Sequence, residues 1–305
     1  MVGELEQFRG HINTVQKTAR RLLSLTRRPA QHGSRCQGRR GGTVSTTEVV
    51  GQRARDEYER DGYTIFRDVI DPGLINEVHG HVEWLGRQHP EVRPEQLGHE
   101  FLRDDPFWVR LVSDERLLAI AELFVGPDIA LFASHYISKS AHSGQPVLWH
   151  QDSAFWPLDP MRVVTLWLAV DHSTPENGCL RVIPGSHRQP VAAVQDNTEV
   201  ANVLGQEIAV DVDESAAVDI VLRPGDVEVH HPNIVHGSEA NTSPHRRCGL
   251  TIRYIPTSTR ITAPEQPYPS AFWLRGDPGR ANTYQPPPVY SPDRHYPFRD
   301  AASWS

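Results

Sequence analysis

Cysteine is scarce: Cys36, Cys179 and Cys248 are the only three in 305 residues. An odd, sparse set does not build a disulfide scaffold and points to a reducing, cytoplasmic setting. No apolar run approaches the roughly 20 residues that cross a bilayer, which argues against a membrane helix. Lysine is nearly missing. Only Lys17 and Lys139 occur, so 29 of the 31 basic residues are arginine. That bias is what a GC-rich genome produces. Acids are absent from Gln7 to Thr47, and nine basic residues against two acids give residues 1–47 a charge of +7. With −7 for the whole chain, the remainder carries −14. An acidic main body argues against nucleic acid, which recruits basic faces. The Ser-, Gly- and Arg-rich head, residues 1–46, reads as a disordered extension or a mis-assigned upstream start rather than a transit peptide.

What is present begins near Thr47, where the folded domain, residues 47–305, is expected to start. "TTEVVGQRARDEYERDGYTIF" predicts a helix ending at Asp61-Gly62, then a strand over Tyr63–Phe66. Residues 71–88 place Ile75, Val78, Val82 and Leu85 on one helical face, and residues 114–127 give a third helix stopped by Gly126-Pro127. From there to about residue 257 the pattern is strand-like: "IALFASHYISK", "VVTLWLAVD", "GCLRVIPGSH", "IVLRPGDVEVHH" and "CGLTIRYI", divided by Pro-Gly and Asn-Gly turns. The Pro-rich segment after Pro256 reads as long surface loops. Helices first and short strands after predict a mainly β fold, a sandwich or jelly roll with flanking helices.

The stretch "LWHQDSAFW", Leu148 to Trp156, sets His150 and Asp152 two apart among aromatic residues. On an extended strand both side chains share a face and can bind one metal. The third ligand must come from elsewhere, and His230, His231 and His236 are the candidates. His236 is preferred because Gly237 and Ser238 behind it leave room for a bound molecule; His230 and His231 then read as structural. A polar turn leads on to Arg247. An antiparallel hairpin there would lay that guanidinium beside the metal, where its planar fork suits a carboxylate. Strand alternation turns Arg246 to the opposite face. Two His and one carboxylate with open positions form the facial triad of non-haem Fe(II) oxygenases.

These residues resemble the phytanoyl-CoA dioxygenase family of Fe(II)/2-oxoglutarate-dependent oxygenases. The resemblance rests on "YERDGYTIF", "WHQD" at 149–152, "PENGCLRVIPGSH" at 175–187, "PGDVEVHHP" at 224–232 and "HGSEANTSPHRR" at 236–247, and it spans about residues 48–290. It implies a double-stranded β-helix, the jelly roll also found in cupins. It implies Fe(II) on His150, Asp152 and His236, with O2 and 2-oxoglutarate as co-reactants. It implies Arg247 and Ser238 on the far carboxylate of 2-oxoglutarate, Trp167 lining that pocket, and His135 at a strand position near the cosubstrate. Phe155 and Trp156 are read as a substrate wall. Lys139, on the same strand face as His135 and Ile137, reads as a solvated strand end, with contact to an anion as the alternative, and Cys179 reads as packing.

The expected activity is oxidation of a small molecule, most simply hydroxylation, with secondary metabolism suggested by association alone. Related halogenases carry a small residue where Asp152 stands, so the carboxylate argues for hydroxylation, desaturation, epimerisation or ring closure. Two rivals stand beside it: a cupin-like hydrolase or isomerase using another metal, and a non-catalytic binding protein on the same barrel. Arg247 with Ser238 argues against the first, and a complete triad against the second.

Overall fold

The computed structural model describes residues 46–304, so the basic head lies almost wholly outside the described residues. Helix α1 (Thr46–Asp61) leads through Gly62 into strand β1 (Tyr63–Phe66). Gly62 has φ 85°, a left-handed turn that glycine adopts without strain. Helix α2 (Pro72–Gln88) starts on Asp71, whose carboxylate accepts the Leu74 N–H at 3.1 Å, and it buries Leu74, Ile75, Val78, Val82 and Leu85. Two helices follow that periodicity did not reveal, α3 (His99–Leu102) and α4 (Pro106–Val112), both too short to show a repeat. Helix α5 (Glu115–Val125) ends at Gly126 as expected.

The strands form two facing antiparallel sheets. The larger runs β1, β10 (Val227–His230), β5 (Val164–Ala169), β12 (Arg247–Pro256), β2 (Ile129–Lys139) and β14 (Phe272–Arg275). The smaller runs β3 (Val147–His150), β11 (His236–Ser238), β6 (Leu180–Val182) and β9 (Val218–Ile220). Short ribbons pair β4 (Leu158–Asp159) with β13 (Arg260–Ile261), and β7 (Val194–Asp196) with β8 (Gln206–Ile208). This is a jelly-roll architecture with helices on one side.

The larger sheet is buried on both faces, and alternation divides its residues by task. Cys248, Leu250, Ile252 and Tyr254 join Leu166, Leu168, Val227 and Val229 in one core with the helices. The alternate residues, Arg247, Thr251 and Arg253 with Thr165, Trp167 and His230, face inward and line a cavity between the sheets. Gly249 pairs with Ala169 and Thr251 with Trp167, which fixes this register.

Three expectations need correction. Strands β11 and β12 do not form a hairpin: β11 pairs with β3 and β6, whereas β12 pairs with β2 and β5. Only Leu180–Val182 of "GCLRVIPGSH" is a strand, because Pro184 and Gly185 end it, and "IVLRPGDVEVHH" splits at its Pro-Gly turn into β9 and β10. The segment after Pro256 is not all loop, since β14 adds an edge strand beside β2 and buries Phe272 and Leu274. Among the described residues no helix is long and apolar enough to cross a membrane.

Candidate metal centre and anion pocket

His150 closes strand β3, and Asp152 opens a single 3-10 turn just beyond it. The two were expected on one strand. The intervening Gln151 stays extended (φ −123°, ψ 120°), so the side chains still converge. His236 begins β11 and pairs directly with His150. Ligand atoms from His150, Asp152 and His236 lie within 4.8 Å of one another, and all three residues are buried. Each imidazole is oriented by the carbonyl two residues before it: His150 Nδ1 meets Leu148 O at 2.8 Å, and His236 Nδ1 meets Ile234 O at 3.0 Å. Nδ1–H donation to these carbonyls leaves each Nε2 with its lone pair toward the cavity.

The charges fit a cation. Burial pushes the Asp152 carboxyl up, but Arg253, His150 and His230 outweigh it and hold it well below the usual carboxylate range. Burial, with His150 alongside, pushes His236 well below its ordinary value, so it is a neutral imidazole. Asp152 Oδ1 faces His150 Nε2 at 3.7 Å. Two imidazoles and one carboxylate are a donor set for a divalent first-row metal such as Fe(II).

At the other end of the same cavity sit two buried basic residues, Arg247 and Lys139. Arg247 is 2% exposed, and its Nε donates to Gly178 O at 3.0 Å. Its Nη2 lies 3.5 Å from Ser238 Oγ, and its Cζ is 5.3 Å from the centroid of the Trp167 ring. Among the described residues Arg247 makes no ion pair. Lys139 corrects another expectation. It is fully buried, not a solvated strand end, and Nζ donates to Ser238 Oγ at 2.7 Å and to Ser238 O and Glu239 O. Burial, then the neighbouring Arg247, lowers the Lys139 amine to about 6. Ser238 Oγ accepts from Lys139, so its own proton is free to point at a bound anion. Arg246 faces away and pairs with Asp171 at 2.8 Å.

Trp167 packs against β12, and a Cβ on Gly249 would come within 2.0 Å of its ring. Only glycine admits this approach. Three further expected residues do not line the cavity. His135 Nδ1 meets Arg253 Nη1 at 2.6 Å. Trp156 stacks beneath that guanidinium, 5.0 Å from Arg253 Cζ. Phe155 is 39% exposed beside the His150 ring. His231 hydrogen-bonds the Asn233 N–H and packs against Tyr58, a structural role as read.

Sequence reasoning missed Glu228 and Arg253, and it set aside His230 as structural and Lys139 as a strand end. His230 lines the cavity, and although burial lowers it, Glu228 and Asp152 raise it to about 9. The signal was present. Glu228 and His230 stand two apart in a buried strand, the spacing already read in His150 and Asp152, and Arg253 shares the strand alternation of Arg247.

The phytanoyl-CoA dioxygenase (PhyH) family model matches residues 58–249. Ectoine dioxygenase of Sphingopyxis alaskensis is 26% identical over 270 residues, covering 79% of this chain and 88% of that protein. L-proline trans-4-hydroxylase of Streptomyces griseoviridis is 29% identical over 245 residues, covering 70% of this chain and 90% of its own. Among solved structures, the apo form of the non-heme monooxygenase ThoJ superposes with a TM-score of 0.65 at 27% identity, covering 76% of this chain and 87% of that one. The family match runs from α1 into β12 and takes in the triad, Trp167, Ser238 and Arg247, and the chain belongs to the phytanoyl-CoA dioxygenase family of Fe(II)- and 2-oxoglutarate-dependent oxygenases.

Proposed function

We propose that this enzyme hydroxylates a small molecule, with Fe(II) on His150, Asp152 and His236 and 2-oxoglutarate between that centre and Arg247. The observation that carries the reading is one cavity with a three-donor triad at one end and a buried, unpaired guanidinium at the other. Fe(II) bound there supplies the redox chemistry, coupling decarboxylation of 2-oxoglutarate to succinate and CO2 with substrate oxidation by O2. The chain's own residues position and desolvate. Arg247 and the Ser238 hydroxyl would fix the far carboxylate, with Lys139 behind them. Trp167 would form one wall and exclude water. The mouth beside Phe155, Trp156, Val203 and Leu204 would receive the substrate.

Two relatives carry ectoine and L-proline in their names, which supports a compact small molecule as the class. The free, buried Cys179 and Cys248 support a reducing cytoplasm. A cupin-like hydrolase is disfavoured, because it has no use for a buried guanidinium facing the triad. The deciding experiment is a small-molecule screen for substrate-stimulated O2 uptake and succinate release. Turnover should require both Fe(II) and 2-oxoglutarate. Product formed without 2-oxoglutarate would overturn the reading.

A further inference from the structure

We propose that Glu228 and His230 form a positioning pair for the Asp152 carboxylate, Glu228 holding the imidazole of His230 so that its Nε2–H serves Asp152 Oδ2. This rests on the reading of Asp152 as an iron ligand. Both residues lie on β10 and face inward, opposite Trp167 and Thr165 of β5. Glu228 is fully buried and His230 is 2% exposed. Glu228 Oε2 lies 2.8 Å from His230 Nδ1. On the far side of the ring, Nε2 lies 3.7 Å from Asp152 Oδ2, and the ring centroid is 4.8 Å from that of His236.

The argument is one of donors and acceptors. Glu228 Oε1, His230 Nε2 and Asp152 Oδ2 are all buried without a hydrogen-bond partner. Buried polar atoms are almost always paired, so the facing orphans His230 Nε2 and Asp152 Oδ2 call for an account. The Glu228 contact at Nδ1 fixes the ring and turns Nε2 toward Asp152. Nε2 faces Asp152 Oδ2, and two lone pairs do not point at each other in a buried site, so Nε2 is the donor of the pair. Ring and carboxylate are then poised to close their gap when Asp152 is drawn into coordination.

The geometry also divides the work between the two Asp152 oxygens. Oδ1 faces His150 Nε2 at 3.7 Å and Arg253 Nη2 at 3.8 Å, whereas Oδ2 faces His230. His230 thus reserves Oδ2 and leaves Oδ1 turned to the triad. Carboxylates that bind metals are themselves hydrogen-bonded, and removing the outer partner typically weakens metal affinity about 10- to 100-fold.

The test compares wild type with His230→Phe, His230→Gln and Glu228→Gln. Fe(II) affinity is measured by chelator competition. The charge-transfer band of the anaerobic Fe(II)–2-oxoglutarate protein is recorded, and melting of the metal-free protein serves as the control for folding. His230→Phe should weaken Fe(II) binding about 10- to 100-fold and shift the band. His230→Gln, which keeps an N–H donor, should recover part of both, and Glu228→Gln should show the same changes more weakly. Should His230→Phe fail to fold, the two conservative variants carry the test. A folded His230→Phe protein with wild-type iron affinity and band position overturns the proposal, even if its melting temperature falls. Complete loss of iron in both His230 variants would make His230 a ligand and overturns it too. Wild-type iron affinity in Asp152→Asn would instead overturn the metal assignment on which the proposal stands.

Discussion

Arg247 reaches Ser238 from the opposite sheet, its Nη2 3.5 Å from Oγ, although only eight residues separate them along the chain. The chain crosses from one layer to the other between them, and this sets a guanidinium and a hydroxyl on facing walls of one cavity. Arg247→Ala should weaken 2-oxoglutarate binding at least about tenfold, since losing about 1.4 kcal/mol suffices for that factor and charge-assisted hydrogen bonds exceed it. Arg247→Lys should recover only part, because a point charge lacks the fork. Arg246→Ala should leave binding unchanged while breaking the Asp171 pair. Anaerobic titration of 2-oxoglutarate into the Fe(II) protein reads all three. Loss of binding in Arg246→Ala instead would show that the wrong arginine has been assigned.

The buried amine of Lys139 should make cosubstrate binding depend on pH. In the free site burial and then Arg247 push it down to about 6, against Glu239, Glu95 and Cys179, which raise it. An anion beside it favours the charged form, so binding above that pH takes up a proton. Affinity should be highest below about pH 6 and fall as pH rises, by at most about tenfold per unit. Lys139→Met should flatten this dependence. The same depression acts on the fold. The unfolded chain binds more protons between about 6 and the ordinary value of 10.5, so Lys139 makes the empty protein more stable as pH rises through that window. A wild-type affinity that does not vary between pH 6 and 8 would remove Lys139 from the anion site.

Asp152→Ala should lose Fe(II), and it should also destabilise the protein. Asp152 is buried between Arg253 and His230, so its removal leaves Arg253 without its carboxylate partner and His230 with Glu228 alone. Breaking such a buried pair costs about 3–5 kcal/mol, which lowers the melting temperature by several degrees in a domain of this size. Calorimetry of the metal-free variant checks this. A variant that melts like wild type would mean that water already compensates these charges.

Gly249→Ala should displace the Trp167 ring, because the new methyl group would occupy its place. Overpacking of this kind costs about 1–3 kcal/mol, and the tilted ring should loosen 2-oxoglutarate binding. Combining it with Trp167→Phe should restore part of the stability. Additive losses in the double variant would place the strain elsewhere.

The helices α1, α2 and α5 were legible because periodicity and end signals agreed: Asp71 caps, Gly126 stops, and Ile75, Val78, Val82 and Leu85 share a face. The triad was legible because His150 and Asp152 stand two apart in apolar company. What the chain did not show was partnership across space. Strand β11 is only three residues long, and nothing local says that His236 pairs with His150 rather than turning back on Arg247. The burial of Lys139 was hidden for the same reason, since its partners Ser238 and Glu239 belong to β11 and the loop after it, about 100 positions away. Glu228 and His230 were passed over because one histidine had already been chosen for the metal.

All ten residues of β12 are buried, one set against the helices and the other toward the triad. A strand built this way has no spare surface on which drift can accumulate. Any change in it is felt either by the scaffold or by the chemistry. New substrate preferences would therefore arise where the chain has slack, in the segment carrying Val203 and Leu204 over the cavity mouth and in the loops after β12. Diversification of this enzyme would be a history of its rims, with the barrel wall held nearly still.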